Sequence, residues 1–242
     1  MLKFLRLQFS LADMSNKIRL EEQKERTIAR LISEGMLHSK DVIRALRTVP
    51  REEFLPDDLK EHAYVDTPLP IGYSQTISAI HMVGIMNEEL ELRIGQKILE
   101  VGAGCGYHAS TVAEIVAPSD ADRQFWGHVY TVDIVPALVD VAQKNLEKTG
   151  YGDRVTIMQG DGSLGLPSKA PFDGIYVTAA APNAPPPLLD QLKPGGILLI
   201  PIGELHFFQS LFKFEKHLDG KVSRRNLGSV AFVPLLGEFG FK

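Results

Sequence analysis

The sequence predicts an α/β fold: a doubly wound, mostly parallel sheet that closes with an antiparallel C-terminal hairpin and is preceded by N-terminal helices. Three observations predict it. From Lys97 onward, short β-branched and aliphatic runs (KILEV, HVYTVD, VTIMQGD, FDGIYVTA, GGILLIPIG) alternate, at first, with helical stretches over Ala109–Val116 and Pro136–Lys148. The first run ends in LEVGAGCGYH, residues 99–108, where three alternate glycines turn a buried strand into a helix. Two last strands, 209–218 and about 221–234, flank Asp219-Gly220, a strong hairpin signal.

The elements follow in order. The opening MLKFLRLQFSLA carries Lys3 and Arg6 within an apolar stretch and has no clear small-residue cleavage site. It reads as a floppy amphipathic leader, residues 1–16, of no assigned role. From Lys17 to Glu34 dense charge surrounds a partial helical stripe of Leu20, Ile28, Leu31 and Ile32 that stops at Gly35. Ser39 can cap a second helix through Arg47, which Pro50 closes. Residues 50–73 show no sustained period and read as an irregular segment over a surface. Ser74–Leu92 reads as a loop running into a helix with Ile77, Ile80, Val83 and Met86 or Leu90 on its apolar face. The expected organisation is one domain over 1–242: helices and a loop in 17–92, then the sheet in 93–242.

Composition narrows the function. The 242 residues carry a formal net charge of −4, which argues against a protein built to grip nucleic acid. One cysteine, Cys105, excludes an internal disulfide framework and a multi-cysteine metal site, and it fits a reducing, cytoplasmic compartment. His38, His62, His81 and His128 have no metal-ligand spacing, so no metal is expected. No apolar stretch approaches the roughly 18 residues of a membrane span.

What sits on the glycine turn decides the chemistry. In an open α/β sheet the ligand lies beyond the carboxyl ends of the strands, where the strand order reverses. A triphosphate loop would need Lys-Ser or Lys-Thr after the glycines, and there is none. A dinucleotide turn would need glycine at 107, where Tyr107 stands. The pattern is G-x-G-x-G over Gly102, Gly104 and Gly106, preceded by Glu100. An acid there holds the cationic end of S-adenosylmethionine and would repel a pyrophosphate. Asp133, ending the next strand, can accept both ribose hydroxyls, a role shared with NAD sites. Gly160-Asp161-Gly162 ends the third, where Asp161 can take an adenine amino group and Gly162 gives the ring room. Residues 117–127 look like an inserted loop.

Rivals are weaker. GDGSLG misses the serine-hydrolase elbow because Asp161 stands where the first glycine belongs. Cys105 and His108, three apart in a glycine turn, are poor grounds for a thiol nucleophile. VTAAAP stands where methyltransferases of amide or exocyclic nitrogens often carry [DN]-P-P-[YF], which weakens such a target. Another carboxylate or small-molecule acceptor, or an inactive cofactor-binding scaffold, remains as the alternative.

LEVGAGCGYHAS, YTVD, GDGS and LKPGGILLIPIG together resemble the class I, Rossmann-like S-adenosylmethionine-dependent methyltransferases. PREEFLP, AYVDTPLPIGYSQTISAIHM, YVTAAAP and VAFVPL resemble, more narrowly, the protein-L-isoaspartate (D-aspartate) O-methyltransferases, over about residues 30–242. The resemblance implies methylation of the free carboxylate of L-isoaspartyl residues in damaged proteins, with D-aspartyl residues a further candidate. It implies Ser78 as the active-site hydroxyl and Gln75, Thr76 and Ile77 in a loop over the methyl-donor end. It adds Ile134 beside Asp133 on the cofactor and Val233 against the peptide substrate. The expected assembly is a monomer. Ser74 departs from the more usual glycine of GYGQTIS, and the long 117–127 loop bears on the substrate rim. Taken alone, Ser78 and Thr76 read first as caps of a helix over 78–91; the resemblance turns the preference to the site.

Overall fold

The computed structural model describes residues 2–204 and 208–241. Helix α1 spans Leu2–Ser33 without a break, so the expected leader continues the first helix. Leu20, Ile28 and Leu31 are buried as the stripe requires, whereas Ile32 is exposed. Gly35, at φ 74°, ends the helix as a left-handed C-terminal glycine. Helix α2 is Lys40–Thr48. Ser39 holds its N-cap position, but the hydroxyl donates to the Glu88 carboxylate and leaves the helix amides alone.

Residues 50–73 are not a surface strap. Two short 3-10 turns, Arg51–Phe54 and Asp57–His62, carry Arg51, Phe54, Leu55, Ala63 and Tyr64 into the core. A hairpin then forms from β1 (Leu69–Gly72) and β2 (Gln75–Ile77). Its turn places Tyr73 and Ser74 at φ 53° and 58°, conformations that side chains resist by about 1–2 kcal/mol per residue. Helix α3, Ile80–Glu89, follows with Ile80, Val83 and Met86 turned inward as expected, whereas Ile77, expected on the same helix face, ends β2.

The main sheet comprises β3 (Lys97–Val101), β4 (His128–Asp133), β5 (Val155–Gln159), β6 (Phe172–Val177), β7 (Leu192–Gly203), β8 (Gln209–Lys216) and β9 (Val222–Val230). Their order is β5-β4-β3-β6-β7-β8-β9; the first five run parallel, and β8 and β9 add antiparallel neighbours around the Asp219-Gly220 turn. Strand side chains alternate between two cores. Ile98, Tyr176, Ile197 and Leu199 pack under α1, α2, α3, α4 (Tyr107–Val116) and α5 (Pro136–Thr149). Leu99, Val101, Leu198 and Ile200 face the short α6 (Pro186–Asp190) and the C-terminal Leu235.

The order reverses between β3 and β6, which opens a crevice at their carboxyl ends. The 117–127 loop joins α4 to the start of β4 and so lies at the opposite edge of the parallel strands, away from any substrate rim. There Gly127 packs against the backbone of Gln96 and Arg123 stacks on Trp126. Among the described residues, no helix is long and apolar enough to cross a membrane.

Candidate active site

At the switch point lies a cleft open to solvent. Gly102, Gly104 and Gly106 stand at φ 98°, 53° and 88°, as a tight strand-to-helix turn requires. A Cβ on Gly102 would sit 2.3 Å from Thr178 Oγ1, whose hydroxyl donates to the Gly102 carbonyl at 2.7 Å. Gly102 and Gly104 line the cleft. Gly106 does not: it N-caps α4 and packs against Ala142 and Leu146.

Asp133 at the end of β4 is buried. Its Oδ2 accepts from Gly104 N at 3.0 Å and its Oδ1 from Val135 N at 2.9 Å. The carboxylate thereby clamps the glycine turn and keeps lone pairs for a ligand. Asp161 is committed elsewhere. It caps the Gly162–Leu164 turn through Ser163 N, accepts the Ser163 hydroxyl, and binds Glu238 N at 2.8 Å. Gly162 lines the cleft; Asp161 does not.

Glu100 is fully buried on the cleft wall, where Thr131 donates to its Oε2 at 2.5 Å and its Oε1 has no partner among the described residues. The adjoining Tyr176 hydroxyl falls short of hydrogen-bond geometry. Burial pushes the Glu100 carboxyl up to about 8, outweighing the Thr131 hydrogen bond.

His108, set aside as a motif in the sequence, acquires a defined chemistry. The Thr111 hydroxyl donates to the His108 carbonyl at 2.8 Å, so its oxygen takes the Asn87 amide N–H at 3.1 Å. Asn87 Oδ1 is therefore the acceptor facing His108 Nε2 at 3.0 Å. The proton sits on Nε2, and the buried Nδ1 keeps an unpartnered lone pair. Burial drives the imidazole down to about 3, so it stays neutral. Burial also pushes the Cys105 thiol up to about 11, which leaves no thiolate for nucleophilic chemistry.

Gln75, Thr76, Ile77 and Ser78 close one side of the cleft; Ile134 and Val233 line it too. The capping reading of Ser78 and Thr76 fails, because α3 begins at Ile80 with Ala79 at its N-cap and no side-chain cap. Asp66 Oδ1 instead takes His81 N at 2.9 Å from fifteen positions away. The Ser78 hydroxyl has no protein partner among the described residues, while its carbonyl accepts from Arg51 Nη2 at 2.7 Å. Thr178, Ala179 and Pro234 line the cleft as well; they lie within YVTAAAP and VAFVPL, yet the sequence reading assigns them no role.

Residues 22–240 match the family model described as protein-L-isoaspartate(D-aspartate) O-methyltransferase. A protein-L-isoaspartate O-methyltransferase of Hyperthermus butylicus is 55% identical over 221 residues, 91% of each chain. A solved protein-L-isoaspartate O-methyltransferase superposes with a TM-score of 0.78 at 28% identity, over 90% of this chain and 67% of that one. A β-aspartate methyltransferase of Plasmodium falciparum, solved with S-adenosyl-L-homocysteine, gives 0.75 at 26% identity, over 88% and 98%.

Proposed function

The chain belongs to the protein-L-isoaspartate(D-aspartate) O-methyltransferase family and methylates L-isoaspartyl carboxylates from S-adenosylmethionine, and we propose that the residues of the switch-point cleft divide this work as follows. Gly102, Gly104, Asp133, Ile134 and Gly162 hold the adenosine half. Glu100 Oε1 and His108 Nδ1 hold the ammonium group. Strand β2, which reads as a loop in the sequence, covers the methyl-donor end with Gln75, Thr76 and Ile77, and Ser78 with Val233 receives the substrate.

The walls fit that cofactor. Glycine alone is tolerated where Gly102 meets Thr178. Two wall residues, Glu100 and His108, each hold a buried atom without a partner among the described residues, and both atoms are acceptors, matching a group with several N–H donors and a positive charge. Asp133 offers paired oxygens suited to two adjacent hydroxyls.

When bound, S-adenosylmethionine supplies an electrophilic methyl on cationic sulfur; its passage to a carboxylate oxygen forms a C–O bond, breaks the S–C bond and cancels one charge of each sign. No proton has to move, so the site needs no general base. A carboxylate, with a reference pKa near 4, is already the nucleophile. The protein's part is placement: Ser78 donates a hydrogen bond to the oxygen that does not react and turns the other toward the methyl carbon. The β1–β2 hairpin excludes water. The observation that carries this assignment is the convergence of Ser78, with its free hydroxyl, and the Asp133-clamped glycine turn on one cleft.

Damaged proteins are the substrate partners, and the same reading makes the enzyme a cytoplasmic monomer with neither nucleic-acid nor membrane partners. Residues 17–92 act as its substrate-side cover and 93–242 as its cofactor-binding sheet. Methyl transfer from labelled S-adenosylmethionine to an isoaspartyl peptide, beside its aspartyl twin, tests the assignment. The label should enter the isoaspartyl peptide alone and be lost in mild alkali, as an ester is. Alkali-stable label, or equal labelling of the twin, would overturn it.

A further inference from the structure

Among the described residues, Arg51 is the largest fully buried side chain. A buried guanidinium ordinarily meets a carboxylate, because an uncompensated charge in the interior is costly. Arg51 has no ion-pair partner among the described residues. Nε donates to the Ala63 carbonyl at 2.8 Å and Nη2 to the Ser78 carbonyl at 2.7 Å. The guanidinium lies 4.9 Å from the centre of the Tyr107 ring, and Nη1 has no acceptor among the described residues. The neighbouring Glu52 is engaged by the Tyr64 hydroxyl at 2.5 Å.

Those contacts join three separate pieces of chain: the end of the second 3-10 turn, the peptide that carries Ser78, and the first residue of α4 after the glycine turn. The planar fork fixes the Ser78 backbone relative to the cofactor turn, which a lysine's single point charge cannot reproduce. Its charge lies directly behind the residue that receives the acceptor, in an interior where screening is weak. Resting on the reading of Ser78 as the acceptor's anchor, we propose that Arg51 is the positioning and specificity-determining residue of the acceptor end. It sets Ser78 against the glycine turn and supplies the positive field that favours an ionised acceptor.

The two parts separate kinetically. An acceptor carboxylate loses its charge as it is alkylated, so a nearby cation favours the bound ground state at least as much as the transition state. The field therefore acts on acceptor affinity, and the fork acts on kcat.

The test compares Arg51→Lys and Arg51→Met, each loaded with S-adenosylhomocysteine. Calorimetry measures binding of an isoaspartyl peptide and of the same peptide with that carboxylate converted to a carboxamide. Wild type should prefer the anionic peptide by about tenfold or more, a preference that Arg51→Met abolishes and Arg51→Lys largely keeps. In turnover, Arg51→Lys should lose about tenfold in kcat with S-adenosylhomocysteine affinity within about twofold of wild type. Persistence of the charge preference in Arg51→Met overturns the field. Wild-type kcat in Arg51→Lys overturns the positioning role, and equal wild-type affinity for the two peptides overturns the field even if Arg51→Met does not fold. Unchanged kcat in Ser78→Ala would remove the Ser78 reading instead, and the peptide charge preference would still report on Arg51.

Discussion

Glu100→Gln tests the cofactor end of the site through a proton. Burial raises the Glu100 carboxyl from an ordinary 4.5 to about 8. A carboxyl with that pKa is ionised in only about one molecule in ten at pH 7. A ligand ammonium that needs the carboxylate therefore drives off close to one proton as it binds at pH 7. By the same arithmetic, Glu100 contributes about a tenfold gain in affinity per pH unit up to about pH 8, then none. Glu100→Gln has no such proton to lose. Calorimetry with S-adenosylhomocysteine, in buffers of differing ionisation enthalpy, counts the protons directly. The ligand's own amino group titrates in the same range in the opposite sense, but identically for both proteins, so their difference isolates Glu100. Folding gives a second readout. Because the folded pKa lies above the unfolded one, the folded state holds more protons. Stability is thus full below about pH 4.5 and falls as pH rises toward 8. At pH 7 the loss is about 3 kcal/mol, so Glu100→Gln should melt higher than wild type there and show little of this gain at pH 4. Equal proton release by the two proteins would refute the placement of the ammonium against Glu100.

Three other variants probe independent parts of the molecule. Ser78→Ala should lower kcat by about tenfold or more while leaving S-adenosylhomocysteine affinity and melting temperature near wild type; a change in melting temperature alone would make Ser78 structural. Asp133→Ala should weaken S-adenosylhomocysteine binding by roughly 5- to 150-fold in calorimetry, and a folded variant of unchanged affinity would remove Asp133 from the site. Glu114 is fully buried between Arg44 at 2.8 Å and Arg154 at 3.0 Å, with the Tyr151 hydroxyl at 3.1 Å. Glu114→Gln should cost roughly 3–5 kcal/mol in denaturant unfolding, with cofactor affinity unaltered in the folded protein.

Short-range physics made the fold legible in the amino-acid order. Short, β-branched, near-continuous apolar runs read as strands covered on both faces, alternate glycines accept the positive φ of a strand-to-helix turn, and Asp-Gly closes a hairpin. Each depends on residues adjacent in the chain, and Gly102, Gly104 and the Asp219-Gly220 turn stand where that logic puts them. Glu100 and Asp133 were equally readable, because a residue at a strand's carboxyl end inherits its place from the strand. Period and spacing carry no signal for partners that meet only after the chain folds. Ser39 gives its hydroxyl to Glu88 from 49 positions away and not to its own helix, and Glu88 is unavailable until α2 and α3 pack. Asp161 accepts from Ser163 and from Glu238, 77 positions away, and does not line the cleft. Residues 50–73 lack any repeat and so read as surface. Tertiary packing alone draws Arg51 inward, where the carbonyls of Ala63 and Ser78 and the face of Tyr107 take up the guanidinium. The sequence determined which strands, turns and strand-end acids would form the cleft. Long-range hydrogen bonding and burial decided which of those polar groups were left free to meet a ligand.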